Sequence, residues 1–293
     1  MNQSVIDKAA VLAEALPYIR EFWGKTVVIK YGGAAMAAAD LKDAVMQDIA
    51  LMKYVGMNPI VVHGGGPEVS AMCRRMGIES TFVDGLRVTD AATMEVAQMV
   101  LVGKTNRDIV THLGRQGVKA VGLSGQDAGL ITATKHLHRS VRTGEPVDLG
   151  YVGDVAAVDV EVLKALTAAG FVPVIAPIGL GPDGQPYNIN ADTVAGAIAA
   201  AMRAAKLVLL TDVEGVRADK DDPSSLLSRV TVDEIRTWMA QGRLEGGMIP
   251  KLQCCITALE AGVERVHIID GRIPHSLLLE IFTHEGVGTM VVR

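Results

Sequence analysis

Pro59-Ile60-Val61-Val62-His63-Gly64-Gly65-Gly66-Pro67 is the stretch that decides the fold. Ile60 to Val62 is short, apolar and β-branched, the composition of a strand buried on both faces. Three glycines then strip the side chains from the turn that leaves it, and Pro67 suits the first turn of a helix. Strand, bare turn and helix N-terminus together present open N–H groups with a positive dipole end behind them, which suits an anion at Gly65 and Gly66. The same glycines would also serve a plain tight strand-to-helix turn, so the rest of the chain has to separate the two readings.

A second such turn lies upstream. Thr26-Val27-Val28-Ile29-Lys30-Tyr31-Gly32-Gly33 is again a strand running into glycines, now with a lysine at its carboxyl end. Lys30 could reach a phosphate held on those amides, or could be a solvated strand-end lysine. Asp40 is expected to cap a following helix in which Leu41, Val45, Ile49, Met52 and Val55 keep helical spacing, and Gly56 ends it. Strand, helix, strand, helix argues for an α/β protein with a parallel, doubly wound sheet. Ahead of it, Leu12, Leu16, Ile19 and Trp23 lie on one stripe of a helix from about Ser4 to Trp23, with Pro17 expected to kink it. That helix either covers its own sheet or extends to another subunit.

Composition narrows the class. At 293 residues and 49% hydrophobic, the chain can bury one large core or two moderate ones, so two lobes are expected. A net charge of −5 without a basic block gives no footprint for nucleic acid or an acidic membrane surface. Cys73, Cys254 and Cys255 are odd in number and lack zinc spacing, which favours a reducing, cytoplasmic setting. Neither a signal-peptide pattern nor a charge-free run long enough to span a bilayer is present, so a soluble protein is expected.

Further along, Arg87 stands in Phe82-Val83-Asp84-Gly85-Leu86-Arg87-Val88-Thr89, where its planar fork could grip a substrate carboxylate or pair internally with Asp84 or Asp90. A helical stretch from Ala91 to Gly114 contains Gly103-Lys104-Thr105, which is no P-loop because Gln98 stands where the leading glycine belongs. His136 and His138 read as surface residues, and no metal site is expected from the protein's own ligands. After the apolar run Phe171 to Pro177, Gly179, Gly181 and Gly184 match G-x-G-x-x-G, but no helix follows, and this Gly/Pro-rich patch is the expected lobe boundary. Asn188, Asn190 and Asp192 crowd the start of an Ala-rich helix, more polar groups than one cap needs. The second lobe alternates again, and Lys251 follows a Gly246-Gly247 pair near a helix N-terminus, where its charge opposes the dipole and suggests a bound anion.

In order, Lys30-Tyr31-Gly32-Gly33, His63-Gly64-Gly65-Gly66-Pro67, Asp84-Gly85-Leu86-Arg87-Val88-Thr89, Asn188-Ile189-Asn190-Ala191-Asp192, Leu210-Thr211-Asp212-Val213-Glu214-Gly215 and Gly246-Gly247-Met248-Ile249-Pro250-Lys251 resemble the motif set of the N-acetyl-L-glutamate kinases, within the wider amino-acid kinase family. The resemblance covers the chain from about Gly24 to Met290. It implies a three-layer αβα sandwich with a mainly parallel central sheet in two lobes. Residues 1–23 would be a kinked helix for contact between dimers, 24–185 the amino-acid lobe with the dimer contact, and 186–293 the nucleotide lobe.

The implied reaction is phosphoryl transfer from ATP to the side-chain carboxylate of N-acetyl-L-glutamate in arginine biosynthesis. By that resemblance Lys30, Lys251 and Asp192 are catalytic, and Gly65, Gly66, Arg87, Asn188 and Asn190 bind the amino-acid substrate. Gly32 and Gly33 hold nucleotide phosphates, while Thr211, Asp212, Val213, Glu214, Gly215 and Val216, with Arg243 to Glu245, line the nucleotide pocket. Mg2+ would ride mainly on the nucleotide phosphates. The N-terminal helix resembles that of the arginine-inhibited members, implying a homo-hexamer built as a trimer of dimers and an arginine site formed with His275, Glu285 and Gly288. Two other readings stay open: a sibling acid kinase for acetylaminoadipate, aspartate, glutamate or carbamate, and a non-catalytic amino-acid sensor on the same fold.

Overall fold

The computed structural model describes residues 3–36, 38–140, 143–219, 222–244, 247–284 and 286–293. Eight strands form one sheet: β1 (Thr26–Tyr31), β2 (Asn58–His63), β3 (Ala120–Ser124), β4 (Val172–Ala176), β5 (Lys206–Thr211), β6 (Arg229–Thr231), β7 (Arg265–Asp270) and β8 (Thr289–Val292). Their spatial order is β6-β8-β7-β5-β1-β2-β4-β3, and every pair is parallel except β7 with β8. The helices are α1 (Gln3–Phe22), α2 (Ala39–Tyr54), α3 (Gly66–Arg75), α4 (Ala91–Gln98), α5 (Asn106–Arg115), α6 (Glu161–Ala168), α7 (Ala191–Ala201), α8 (Val232–Ala240), α9 (Met248–Glu260) and α10 (Ser276–Phe282).

Residue alternation along the strands explains the three layers. Val28, Ile60, Val62, Leu207, Leu209 and Val266 point to one face, where α7 and α9 pack. Val27, Ile29, Val61, Val208 and Leu210 point to the other, covered by α2, α5 and α10. Both faces being buried along β1, β2, β4 and β5, these interior strands read as near-continuous apolar runs, and each fully buried Val, Leu or Ile contributes about 1.5–3 kcal/mol. Pro59 and Pro173 are tolerated in interior strands because β2 and β4 pair with each other only from Val61 and Val174 onward.

Several expectations need correction. Asp40 does not cap α2; Ala38 holds that position without a side-chain bond, and Asp40 sits in the first turn, where its charge suits the dipole. The face of α1 that packs inward carries buried Phe22 with partly buried Ala15, Tyr18 and Ile19, whereas Leu16 and Trp23 are 54% and 67% exposed; the Leu12 side chain lies outside the described residues. The helix continues on both sides of Pro17. The Ala91 to Gly114 stretch is helical throughout but widens into a π segment at Met99–Thr105. His136 and His138 lie in part-exposed contacts as expected of surface residues, paired with Asp154 and Asp84 respectively, each at 2.8 Å.

The Gly/Pro-rich patch after β4 is the loop of a hairpin in which Ile178–Leu180 pairs antiparallel with Pro186–Ile189, so a cut between 185 and 186 passes between bonded strands. These two segments close a small barrel with Ile131–Lys135 and Val152–Val158, set beside the carboxyl ends of β1 and β2.

Candidate active site

The chain moves from β1 to β2 on one side, while β5 flanks β1 on the other. Such reversals leave a crevice beyond the carboxyl ends of the strands. A cleft of about 340 Å³ lies there, lined by both glycine turns, the Arg87 hairpin, the barrel edge and the first turns of α7 and α9.

Period-two alternation puts Lys30 on the same face as Val28, the face covered by α7. Asp192 is in the first turn of α7, and Lys251 is in the first turn of α9. Lys30 Nζ lies 3.0 Å from Asp192 Oδ1 and Lys251 Nζ lies 3.3 Å from Oδ2. The first contact is an ion pair rather than an aligned hydrogen bond, while Lys251 donates properly to Oδ2. Burial pushes the Asp192 carboxyl up more than any single influence, but Lys30 and Lys251 together outweigh it and hold the group below its usual range. Two ammonium groups against one carboxylate leave the cleft with an unbalanced positive charge. The Cys254 thiol, one turn beyond Lys251, donates to the Asp192 carbonyl at 2.9 Å and ties α9 to α7. A side chain at Gly32 would crowd Lys30, since a Cβ there would lie 3.1 Å from both Cε and Nζ.

The second turn is supported from beneath. His63 is fully buried, and its Nδ1 lies 2.8 Å from the Gly64 carbonyl, so Nδ1 carries the proton. Nε2 then accepts from Asn106 Nδ2 at 3.2 Å, and the same amide donates to Val174 O at 2.9 Å. Burial lowers the imidazole to about 4, so His63 is a neutral prop and not a proton carrier. Gly65 caps α3, whose open amides face the cleft with Gly66 and Pro67 in its first turn.

Arg87 is on the second strand of a hairpin that turns at Asp84-Gly85. Its guanidinium donates to Ser70 Oγ at 2.7 Å, Ser80 Oγ at 3.0 Å and the Gly66 carbonyl at 2.9 Å, over the Phe82 ring. Neither acid considered from sequence holds it in those bonds: Asp84 pairs with His138 and Asp90 caps α4. Asn188 and Asn190 line the cleft, and Asn190 Oδ1 accepts from Asp192 N at 2.7 Å.

A second pocket of about 410 Å³ opens beside β5. Asp212, Val213, Glu214, Gly215, Val216, Arg243 and Leu244 line it; Glu245 and Gly246 lie outside the described residues. Thr211 does not line it: the residue is 2% exposed, and its hydroxyl donates to Asp212 Oδ1. Gly32 and Gly33 belong to the cleft and not to this pocket. Trp238, Met248, Arg217 and Arg272 complete the wall. Met248 falls inside the Gly246 to Lys251 motif, whereas no local motif marks Trp238, Arg217 or Arg272, and Trp238 reads simply as one residue of an amphipathic helix.

A third cavity, of about 580 Å³, lies between α1 and the end of the chain. Gly288 lines it, as do Tyr18, Glu21, Lys206, Arg265 and Glu280. Glu285 lies outside the described residues. His275 is not on this cavity's wall; it is turned to Asp48 of α2, with Nδ1 2.6 Å from Oδ1. Among the described residues no group of three His, Cys, Asp or Glu gathers as a metal would require. No described helix is long and apolar enough to cross a membrane.

The sequence model of the amino acid kinase family matches residues 25–270. The chain is 84% identical over 293 residues to the acetylglutamate kinase of Symbiobacterium thermophilum, covering all of both chains. It is 58% identical over 294 residues to that of Moorella thermoacetica, covering 100% of this chain and 99% of that one. Among solved structures it resembles N-acetylglutamate synthase from Neisseria gonorrhoeae in complex with coenzyme A and N-acetyl-glutamate, with a TM-score of 0.83 and 26% identity over 97% of this chain, which spans 63% of that longer protein. Giardia carbamate kinase shares the fold, with a TM-score of 0.68 at 17% identity over 92% of this chain and 99% of that one. The chain therefore belongs to the amino acid kinase family, among its acetylglutamate kinases.

Proposed function

We infer that the protein transfers the terminal phosphoryl group of ATP to the side-chain carboxylate of N-acetyl-L-glutamate, a step of arginine biosynthesis. The observation that carries the reading is that one buried carboxylate, Asp192, holds two lysines from opposite ends of the chain over the glycine turns. A carboxyl group with a pKa of about 4 is already an ionised nucleophile at neutral pH, so no general base is needed. The difficulty is electrostatic: two anions must approach in line while charge spreads over the migrating group. Lys30 and Lys251 offset that charge, and the amides at Gly33, Gly65 and Gly66 hold its oxygens. Arg87 binds a substrate carboxylate, with Asn188 and Asn190 offering amides to the acetamido end. Asp192 takes no proton, since it is held ionised; it aims the lysines.

Mg2+ would be held by the nucleotide phosphates and water, as suits a hard cation that dehydrates reluctantly. The acids nearest the nucleotide pocket are engaged, Asp212 with the Thr211 hydroxyl and Glu214 with Arg217. Incubating the protein with ATP, hydroxylamine and a panel of acids tests the reaction. N-acetyl-L-glutamate should give the strongest hydroxamate signal; a stronger signal from acetylaminoadipate, aspartate, glutamate or carbamate would move the assignment to a sibling kinase, and none at all would favour a sensor.

We also propose that arginine inhibits through the third cavity and that α1 joins dimers into a hexamer. In support, carboxylates and cations both line the cavity, Glu21 3.7 Å from Arg265 and Glu280 against His267, with Lys206 beside them, groups that a ligand carrying a guanidinium and a carboxylate could re-pair. Exposed Leu16 and Trp23 near the end of α1 leave apolar surface for another copy. Deleting residues 1–22 would also remove buried Phe22, so Tyr18→Ala with Glu21→Ala is the cleaner test. The arginine concentration for half inhibition should rise about tenfold or more while uninhibited turnover stays within about twofold. Unchanged inhibition would sink the site.

A further inference from the structure

Arg272 is a cation that neither the sequence motifs nor the transfer cleft accounts for. It follows Asp270, the last residue of β7, which sits level with Thr211 of β5. Between them, Gly271 N donates to the Thr211 carbonyl at 2.8 Å. A Cβ at Gly271 would stand 2.7 Å from the Ala35 Cβ, so this segment packs directly on the turn that follows β1. Arg272 thus lines the nucleotide pocket on the side nearest the turn expected to hold phosphate.

Its posture is fixed from below. Asp270 is 4% exposed and accepts from Arg272 Nε at 2.9 Å, from Nη2 at 2.8 Å and from the Arg272 backbone N–H at 2.8 Å. That leaves both protons on Nη1 and one on Nη2 for a ligand, on a side chain half exposed to the pocket. The other guanidiniums of the pocket have different employment: Arg217 bonds Glu214, and Arg243 donates to the Ala218 carbonyl while lying over Trp238. A buried carboxylate that spends both oxygens on orienting one arginine makes a preorganised fork, the arrangement that suits phosphate.

We propose that Arg272 binds the phosphates of the nucleotide where its pocket opens toward the turn after β1, with Asp270 as the positioning residue that holds the guanidinium there. The proposal rests on reading this pocket as the nucleotide site, and the test separates the two. Trp238 lines the same pocket and the chain has two tryptophans, so full-length protein carrying Trp23→Phe reports binding through Trp238 fluorescence alone. Titration with ADP, ATP and adenosine should show Arg272→Gln weakening both phosphorylated ligands by about tenfold or more, with adenosine unchanged within about twofold. Arg272→Lys should recover part of the loss, and Asp270→Asn should weaken ADP but not adenosine. If Arg272→Gln binds ADP like its parent, or loses adenosine equally, the phosphate contact is wrong. If the parent protein's fluorescence responds to none of the three, the pocket assignment itself falls and takes the proposal with it.

Discussion

Lys251→Ala and Lys30→Ala should each lower turnover by about a hundredfold or more, with smaller changes in the Michaelis constants and a fold that persists. The size follows from where the charge is needed. Substrate carboxylate and nucleotide can each shed some charge onto water or Mg2+ in the ground state, but the migrating group develops its charge between them, inside a cleft where Lys30 is 8% exposed. A preorganised cation there costs no reorganisation when the transfer occurs, and removal of one such donor typically costs ~10²–10³ in turnover. Arginine is not an equivalent replacement, because Asp192 holds both ammonium groups within 3.3 Å and a planar fork cannot share that carboxylate in the same way. Each Lys→Arg variant should therefore recover only part of the loss. Steady-state kinetics on purified variants, with melting temperature as the check on folding, measures this; wild-type turnover in either alanine variant would remove the mechanism.

The cleft beyond β1 and β2 was more legible in the sequence than the pocket beside β5, for a physical reason. Lys30, Gly65, Gly66 and Lys251 sit at strand ends or helix starts, where glycine and charge leave a local signature that needs no knowledge of strand order. Arg272 and Trp238 acquire meaning only because β7 pairs with β5 and α8 comes to lie over that edge, and no local pattern announces either event. Arg87 stands out in the sequence as a lone guanidinium just past an Asp-Gly turn, yet the groups that hold it, Ser70 and Ser80, belong to α3 and the loop after it. Nor does the sequence around His275, expected at an arginine site, announce Asp48, a buried carboxylate 227 positions away that claims the imidazole and whose own pKa burial raises to about 6. The alternation of apolar residues gave the layers, while caps and loop partners, decided by single hydrogen bonds, were where expectation and structure parted, as at Asp40.

Asp192→Asn should be nearly as damaging as loss of a lysine, and it should announce itself in stability as well as in rate. The carboxylate is 4% exposed and is the shared partner of both ammonium groups. Replacing it with a neutral amide leaves two like charges in one cleft, and breaking a buried pair by removing one partner costs about 3–5 kcal/mol. Because folding holds the Asp192 carboxyl below its usual range, its contribution is complete above the unfolded carboxyl's pKa of about 4 and is lost as pH falls through the folded value. The deficit of the variant in denaturant midpoint should thus be full at pH 7 and narrow only in acid.

Two like charges without their shared carboxylate should also make the variant's residual turnover more sensitive to salt than the parent's. A bound polyphosphate would substitute for the missing anion, and ATP should therefore raise the variant's melting temperature by more than it raises the parent's. Those three readouts separate an electrostatic clamp from a packing residue, which would lower stability without altering the salt dependence or enlarging the nucleotide shift. An Asp192→Asn protein with parental turnover and an unaltered melting temperature would mean that the lysines keep their aim without the carboxylate between them.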